Sequence, residues 1–334
     1  MKIHHLLALV LAVAGVLCAT PARADHPVTK TTYTYALVGE LPLKADVYSP
    51  QSSPYGTQRP VIVFVHGGGW TCGNRDGYGG LPHYLAQTFG VVTGSASYRL
   101  APVTDAVIEG GRIVSPGARD GCTEGTFPTE GLGLPQHRAA FPAQMVDLKN
   151  LMWQLRRHAD ALQIDRKRIA VVGASAGGHL VGMLGTTREL APDAPPTAAG
   201  ALLHSQPDAI VSIAGPWDLR AGAPLSHPSV PGILRNLFGG EPTSAQRTAA
   251  SPITAIAGTP VRFPPTLFLH GAADTLVEPR QSSAACAVMP SCAYGAALIV
   301  DTPAGVDPHD AMYLLQARFA EFVTFLAVVF GAPP

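Results

Sequence analysis

The chain has 334 residues, with 23 lysines and arginines against 23 aspartates and glutamates, so its formal net charge is zero. This length is sufficient to bury one large core, and 35 glycines with 31 prolines indicate many loops. The balanced charge argues against nucleic acid or an anionic membrane surface as a partner.

Residues 1–24 have the features of a secretory signal peptide. Lys2 supplies a positive start, and the apolar run at residues 6–17 is too short to cross a bilayer. Small residues at the end of the segment offer a cleavage site near Ala24. The sequence therefore predicts a secreted or periplasmic protein with no stable membrane insertion and one domain over residues 25–334. A retained membrane anchor is the alternative.

The first elements predicted in the mature chain are strands. Residues 31–35 and 43–48 are expected to pair as an N-terminal hairpin, and the apolar run at residues 61–65 predicts a buried strand.

A glycine-rich loop, His66-Gly67-Gly68-Gly69-Trp70, follows the strand at residues 61–65. Glycines let the backbone approach a reacting group closely, and a developing oxyanion needs N–H donors aimed at it from such a loop. We expect the donors to be the N–H groups of Gly68, Gly69 and Ala176, with Trp70 beside the substrate. A loop built only for flexibility is the alternative.

A long segment, residues 103–140, follows the next predicted strand at residues 91–95. It shows no clear core pattern, and segments of this length without one are usually functional or disordered. Because it leaves the sheet where the carboxyl ends of strands gather, we expect it to border the site and narrow substrate choice. Apolar residues at helical spacing over residues 145–155 predict a helix after it.

The segment Gly173-Ala174-Ser175-Ala176-Gly177 lies between a β-branched run at residues 169–172 and a helix-like stretch at residues 178–184. A strand, a tight glycine turn and a helix place the Ser175 hydroxyl at an exposed corner, which is the pattern of a nucleophile elbow. An ordinary glycine-rich turn is the alternative.

In proteins with a nucleophile elbow, the acid and the histidine of the catalytic triad follow the serine in chain order. Asp274 follows a predicted strand at residues 266–269, and His309 is the only histidine after it. We therefore assign Asp274 as the acid and His309 as the base, with Glu278 as the alternative acid. His270, at the end of a strand, is interpreted as structural.

The sequence resembles α/β-hydrolase esterases of the hormone-sensitive-lipase-like and bacterial feruloyl-esterase-like group. The matching segments are residues 66–70, 97–102, 141–144, 173–179 and 270–279. The resemblance implies an α/β fold with a mostly parallel, doubly wound sheet, helices on both faces and a small partial cap. It also implies hydrolysis of a small-molecule or carbohydrate-linked carboxylic ester without a cofactor.

The chain departs from this group in three loops, one of which is the acid loop, with one extra residue, Glu278, before Pro279. Residues 103–140 replace a connection of a few residues, and Gly305-Val306-Asp307-Pro308-His309 stands where relatives usually have Gly-x-Gly-His. Relatives insert a cap at residues 216–264, where Trp217, Leu237 and Phe238 are expected to line an acyl pocket, ordinary packing of the three being the alternative.

Removal of the signal leaves four cysteines, which are Cys72, Cys122, Cys286 and Cys292. In an exported protein they predict two disulfides, with three connectivities open. Cys286 and Cys292 are close in sequence and are expected to pair, which would join Cys122 to Cys72. Free thiols are the alternative, and the spacings match no zinc pattern, so no metal is expected.

Residues 322–330 predict a last helix that packs on the core. The residues expected on its inner side are Met312, Leu315, Phe319, Phe322 and Leu326.

Two other functions stay open: a peptidase or amidase on the same fold, and a non-catalytic binding protein. The sequence leaves the oligomeric state open.

Overall fold

The computed structural model describes residues 25–103, 107–109, 112–114, 131–132, 134–195, 197–198, 200–256 and 262–331. The predicted signal segment, Cys122 and most of the segment at residues 103–140 lie outside the described residues. The strands are β1 Val28–Val38, β2 Leu41–Pro50, β3 Arg59–Val65, β4 Val92–Ala96, β5 Val107–Glu109, β6 Arg112–Val114, β7 Ile164–Ala174, β8 Ala209–Ile213, β9 Thr266–Gly271 and β10 Leu298–Val300.

Helices alternate with these strands over most of the chain. They are α1 Leu81–Phe89, α2 Ala143–Arg157, α3 Ala159–Leu162, α4 Ala176–Gly185, α5 Val230–Phe238, α6 Ser244–Ala249, α7 Pro252–Ile256, α8 Arg280–Ala287, α9 Ala311–Ala317 and α10 Phe319–Phe330. Short 3-10 turns cover Pro135–His137, Gly200–Leu202 and Ala293–Gly295. Helices α5, α6 and α7 lie in the region expected to form the cap.

Eight strands form one sheet in the order β1-β2-β4-β3-β7-β8-β9-β10. The β1–β2 hairpin and the β2–β4 pair are antiparallel, and the remaining pairs are parallel. Strands β5 and β6 form a separate two-stranded sheet. The mostly parallel sheet and the N-terminal hairpin confirm the α/β architecture predicted from the sequence.

The sheet is buried on both faces, and β3 shows how one strand serves two layers. Its alternate residues Val63 and Val65 join the core formed with α2 and α4. Ile62 and Phe64 point the other way and join the core formed with α1, α9 and α10. A strand covered on both faces is apolar at every position, which is why this run is continuous in the sequence.

The C-terminal segment forms two helices instead of one. Helices α9 and α10 are bent by 78°. Asp310 caps the start of α9 by accepting hydrogen bonds from the N–H groups of Met312 and Tyr313. The break changes the helical phase between the two segments. Met312 is therefore 40% exposed, and the expectation that it faces inward is wrong. Phe322 is buried, as expected.

No single helix of the described residues is long and apolar enough to cross a membrane, although α9 and α10 taken together pass the same test of length and composition.

Candidate active site

Ser175 occupies a strained corner between β7 and α4. Its backbone has φ 52° and ψ −119°, a conformation that residues with a side chain rarely adopt. Its N–H group donates to the Ile213 carbonyl oxygen at 2.8 Å. A Cβ atom at Gly173 would lie 2.3 Å from the Gly177 carbonyl oxygen, and one at Gly177 would lie 2.2 Å from that of Val65. Both glycines are therefore required for the tight turn that presents Ser175.

The glycine-rich loop after β3 lies directly against this corner. A Cβ atom at Gly67 would lie 3.0 Å from the Ala174 carbonyl oxygen and 3.3 Å from the Ser175 Cβ atom. Gly68 and Gly69 both have positive φ, at 102° and 55°. Ala176 is the first residue of α4, where a backbone N–H group has no partner within the helix.

Polar and aromatic contacts hold this loop in place. The buried His66 ring stacks on Tyr98 with 4.2 Å between ring centroids, and the Tyr98 hydroxyl donates to the His66 carbonyl oxygen at 2.9 Å. Burial lowers the pKa of His66 to about 4, so the neutral ring donates from Nδ1 to the Gly67 carbonyl oxygen at 2.8 Å. The Ala101 N–H group donates to the Trp70 carbonyl oxygen at 2.8 Å. A loop held in this way presents its N–H groups without further reorganisation.

Asp274 and His309 lie in direct contact. His309 Nδ1 donates to Asp274 Oδ2 at 2.6 Å, and Asp274 Oδ1 accepts from the N–H groups of Leu276 and Val277, each at 3.0 Å. Burial raises the pKa of Asp274, but the hydrogen bonds from His270 and His309 outweigh it and hold this pKa well below its usual range. His309 Nε2 is buried and has no hydrogen-bond partner among the described residues, so it is available as a proton acceptor.

The histidine loop reaches Asp274 because Gly271 lets it approach β9. A Cβ atom at Gly271 would lie 2.0 Å from the Pro308 carbonyl oxygen. Asp307 Oδ1 accepts from the His309 N–H group at 2.8 Å and stabilises the turn. Glu278, the alternative acid, accepts a hydrogen bond from Ser226 at 2.7 Å instead of contacting His309.

The two tryptophans expected beside the substrate are core residues. Trp217 is fully buried, its indole N–H group donates to Ser212 Oγ at 2.9 Å, and its ring packs 4.8 Å from that of Phe268. Trp70 is also buried, and its ring meets the His179 ring edge-on at 5.2 Å. Both side chains are buried, and contact with substrate stays a prediction for each.

Helix α5 carries Leu237 and Phe238, which the sequence predicts to line an acyl pocket, and Ile233, which the sequence did not single out. Leu237 is fully buried, whereas Phe238 is partly exposed. Ile233 Cγ2 lies 3.8 Å from the position of a Cβ atom at Gly69, and Phe238 packs against Phe141 with 6.1 Å between ring centroids. Phe141 and Phe238 also line a cavity of about 450 Å³. Its other lining residues are Pro142, Met145, Lys149, Met183, Thr186, Thr187, Gln246 and Ala249.

The cysteines follow the predicted pattern where the structure describes them. Cys286 and Cys292 form the expected disulfide, with 5.2 Å between their Cα atoms. Cys72 is also disulfide-bonded, whereas its predicted partner Cys122 lies outside the described residues. Within the described ranges, no group of three or more His, Cys, Asp or Glu side chains is arranged to hold a metal ion.

Two family models match the chain. The model described as BD-FAE matches residues 135–288, and the one described as Carboxylesterase family matches residues 16–104. Esterase LipC of Mycobacterium tuberculosis is 29% identical over 67% of this chain and 46% of its own length. Ethyl acetate hydrolase of Pseudomonas putida is 30% identical over 51% of this chain and 43% of its own length. The chain thus spans less than half the length of either relative.

Solved structures show the same fold. Esterase 2 of Thermogutta terrifontis aligns with a TM-score of 0.60 at 23% identity, covering 94% of this chain and 96% of that one. An acetyl ester-xyloside bifunctional hydrolase from Caldicellulosiruptor lactoaceticus aligns with a TM-score of 0.63 at 19% identity, covering 90% and 97%.

The sheet order, the serine corner and the paired acid and histidine define an α/β-hydrolase fold. The family models and the curated relatives show that the chain is similar to carboxylic ester hydrolases with this fold.

Proposed function

We propose that the protein hydrolyses carboxylic esters, with Ser175 as nucleophile, His309 as general base and Asp274 as the residue that orients the base. The observation that carries the proposal is the 2.6 Å hydrogen bond between Asp274 and His309, which leaves His309 Nε2 without a partner among the described residues. The esterase names of the relatives support the same reaction.

In the proposed reaction, the Ser175 oxygen attacks the ester carbonyl carbon while its proton moves to His309 Nε2. The negative charge of Asp274 stabilises the resulting imidazolium. N–H groups of Gly68, Gly69 and Ala176 would stabilise the oxyanion, in keeping with the close approach of the loop to Ser175. His309 then protonates the leaving alcohol, and water releases the acid from the acyl-enzyme.

The test is ester hydrolysis by wild type and Ser175→Ala. The panel contains p-nitrophenyl esters of short and long acids, feruloyl and acetylated sugar esters, and an aminoacyl anilide. We expect Ser175→Ala to lower kcat by up to about a millionfold, because loss of the nucleophile removes the covalent route. Ser283→Ala, an exposed serine on α8, should match wild type. Preference for the anilide would assign the protein as an amidase, and undiminished activity in Ser175→Ala would overturn the proposed mechanism.

We also propose that the protein is exported and that Cys72 pairs with Cys122, which would tether residues 103–140 beside the glycine-rich loop. The disulfide-bonded state of Cys72 and the existing Cys286–Cys292 pair support this connectivity. N-terminal sequencing of the mature protein and peptide mapping without reduction test both parts. An N-terminus at Met1 would contradict export, and a Cys72 peptide that is not linked to Cys122 would contradict the proposed pair.

A further inference from the structure

His270 is a buried histidine that the proposed mechanism does not use. Its side chain is fully buried at the end of β9, four residues before Asp274. Its Nδ1 atom lies 2.7 Å from Ser282 Oγ, and its Nε2 atom lies 2.7 Å from the Val277 carbonyl oxygen. Both ring nitrogens are therefore engaged by groups from the two segments that follow the strand.

These contacts fix the tautomer of the neutral ring. The Val277 carbonyl oxygen can only accept, so the proton of His270 is on Nε2. In the neutral ring Nδ1 is then an acceptor, and the hydroxyl of the buried Ser282 donates to it. Ser282 lies on α8, so this helix supplies the hydroxyl that supports the tautomer required by the Val277 carbonyl oxygen.

The protonated nitrogen faces the triad. His270 Nε2 lies 3.3 Å from Asp274 Oδ2, the oxygen that accepts from His309 Nδ1 at 2.6 Å. The same N–H group holds the Val277 carbonyl oxygen, while the Val277 N–H group donates to Asp274 Oδ1. His270 thus contacts both the Asp274 carboxylate and the turn that carries it.

We propose that His270, in the tautomer required by the Val277 carbonyl oxygen and supported by the Ser282 hydroxyl, is a positioning residue that fixes the Asp274 carboxylate toward His309. This inference rests on the proposed triad. With Nε2 protonated, the ring supplies an N–H group at Asp274 Oδ2 and closes the 274–277 turn. With the proton on Nδ1, the Nε2 lone pair would face both the Val277 carbonyl oxygen and the carboxylate, and would repel them.

The experiment compares Ser282→Ala, which removes the hydroxyl that donates to His270 Nδ1, with Ser283→Ala, its exposed neighbour on α8. His270→Leu and His270→Gln form a second pair, because the Gln amide keeps an N–H donor and Leu does not. The measurements are kcat and KM for p-nitrophenyl acetate and the melting temperature. The low-field proton resonance of the His309–Asp274 hydrogen bond is recorded by NMR.

We expect Ser282→Ala to lower kcat by about tenfold, the effect of one buried hydrogen bond, with KM within about twofold and a shifted low-field resonance. Ser283→Ala should equal wild type, and His270→Gln should retain more of kcat than His270→Leu. Wild-type kcat together with an unchanged resonance in Ser282→Ala would overturn the proposal, even if the melting temperature falls. Because the resonance is read without substrate, this result is distinct from failure of Ser175→Ala to lose activity.

Discussion

Asp274 shows how individual atoms determine the proton positions of the site. Its Oδ1 atom accepts two backbone N–H groups of the following turn, whereas Oδ2 accepts from His309. Because a carboxylate accepts at both oxygens, the proton of His309 is held on Nδ1 and Nε2 is left as the basic atom. The backbone turn therefore orients the carboxylate oxygen that holds the proton on His309 Nδ1.

This arrangement predicts the effect of Asp274→Asn. The N–H groups of Leu276 and Val277 require an acceptor, so the amide oxygen would take the place of Oδ1 and the NH₂ group would face His309. A donor at that position favours the wrong tautomer of His309, and we expect kcat to fall about 10³- to 10⁴-fold. Steady-state hydrolysis of p-nitrophenyl acetate measures this, and Asp301→Asn serves as the control. A loss below tenfold would mean that Asp274 does not orient the base.

Chain order was sufficient to select the paired residues, because His309 is the only histidine after Asp274. The contact of His270 with the same carboxylate was not predictable, because it depends on how the 274–277 turn and α8 fold back onto β9. The packing of Trp217 in the core could not be predicted from the sequence either. A large aromatic residue near a site has the same sequence signal whether it lines a pocket or fills the space that Gly182 leaves in the core.

At the scale of elements, the strands were easier to predict than the segments that cover the site. The buried strands are short apolar runs, and β3 at Arg59–Val65 ends at the residue expected from its sequence. Helix α5 gave no comparable signal, since its position depends on contacts with the glycine-rich loop and with Phe141. The break between α9 and α10 was also missed, because the apolar pattern continues across Arg318.

The position of α5 predicts a determinant of substrate size. Ile233 is partly exposed and lies beside Gly69, whereas Leu237 of the same helix is fully buried. Replacement of Ile233 by Ala would leave space next to the proposed oxyanion loop, and replacement of Ile233 by Trp would fill that space. We expect Ile233→Ala to raise kcat/KM for p-nitrophenyl octanoate relative to acetate, by about four- to fifteenfold for one or two methylene groups of added contact at about 0.8 kcal/mol each. Ile233→Trp should shift this ratio the other way.

The control for this prediction is Val328→Ala, at an exposed position of α10, where the C-terminal helix covers the opposite core. It should leave the ratio unchanged. An equal loss for both esters in Ile233→Ala would indicate a general structural effect, and an unchanged ratio in both Ile233 variants would place the bound acyl group elsewhere.

At the scale of the whole molecule, several histidines are buried in neutral form. Burial lowers the pKa of His66 and of His179 to about 4 and that of His204 to about 3, with nearby arginines adding to the effect at His204. In the unfolded chain a histidine titrates near 6.5, so below that pH the unfolded state binds more protons than the folded state. Burial raises the carboxyl pKa values of Asp147 and Asp208. At lower pH the folded state therefore binds more protons at these two groups than the unfolded state does, which opposes the effect of the histidines.

The free energy of unfolding should therefore be highest above about pH 6.5 and fall as the pH approaches 4. Each of the three histidines contributes a loss of about 2 kcal/mol between pH 7 and pH 5, because over this range it is protonated in the unfolded chain but not in the folded one. Urea unfolding at pH 7, 6 and 5 measures the slope. His179→Leu should reduce the slope of the free energy of unfolding against pH by about a third. Leu suits this position because Trp70 and Phe141 already pack against the ring. His83→Gln, at the surface of α1, should leave the slope unchanged. A free energy that stays constant from pH 7 to 5 would mean that these rings take up protons in the folded state, by opening the packing around the glycine-rich loop and α4.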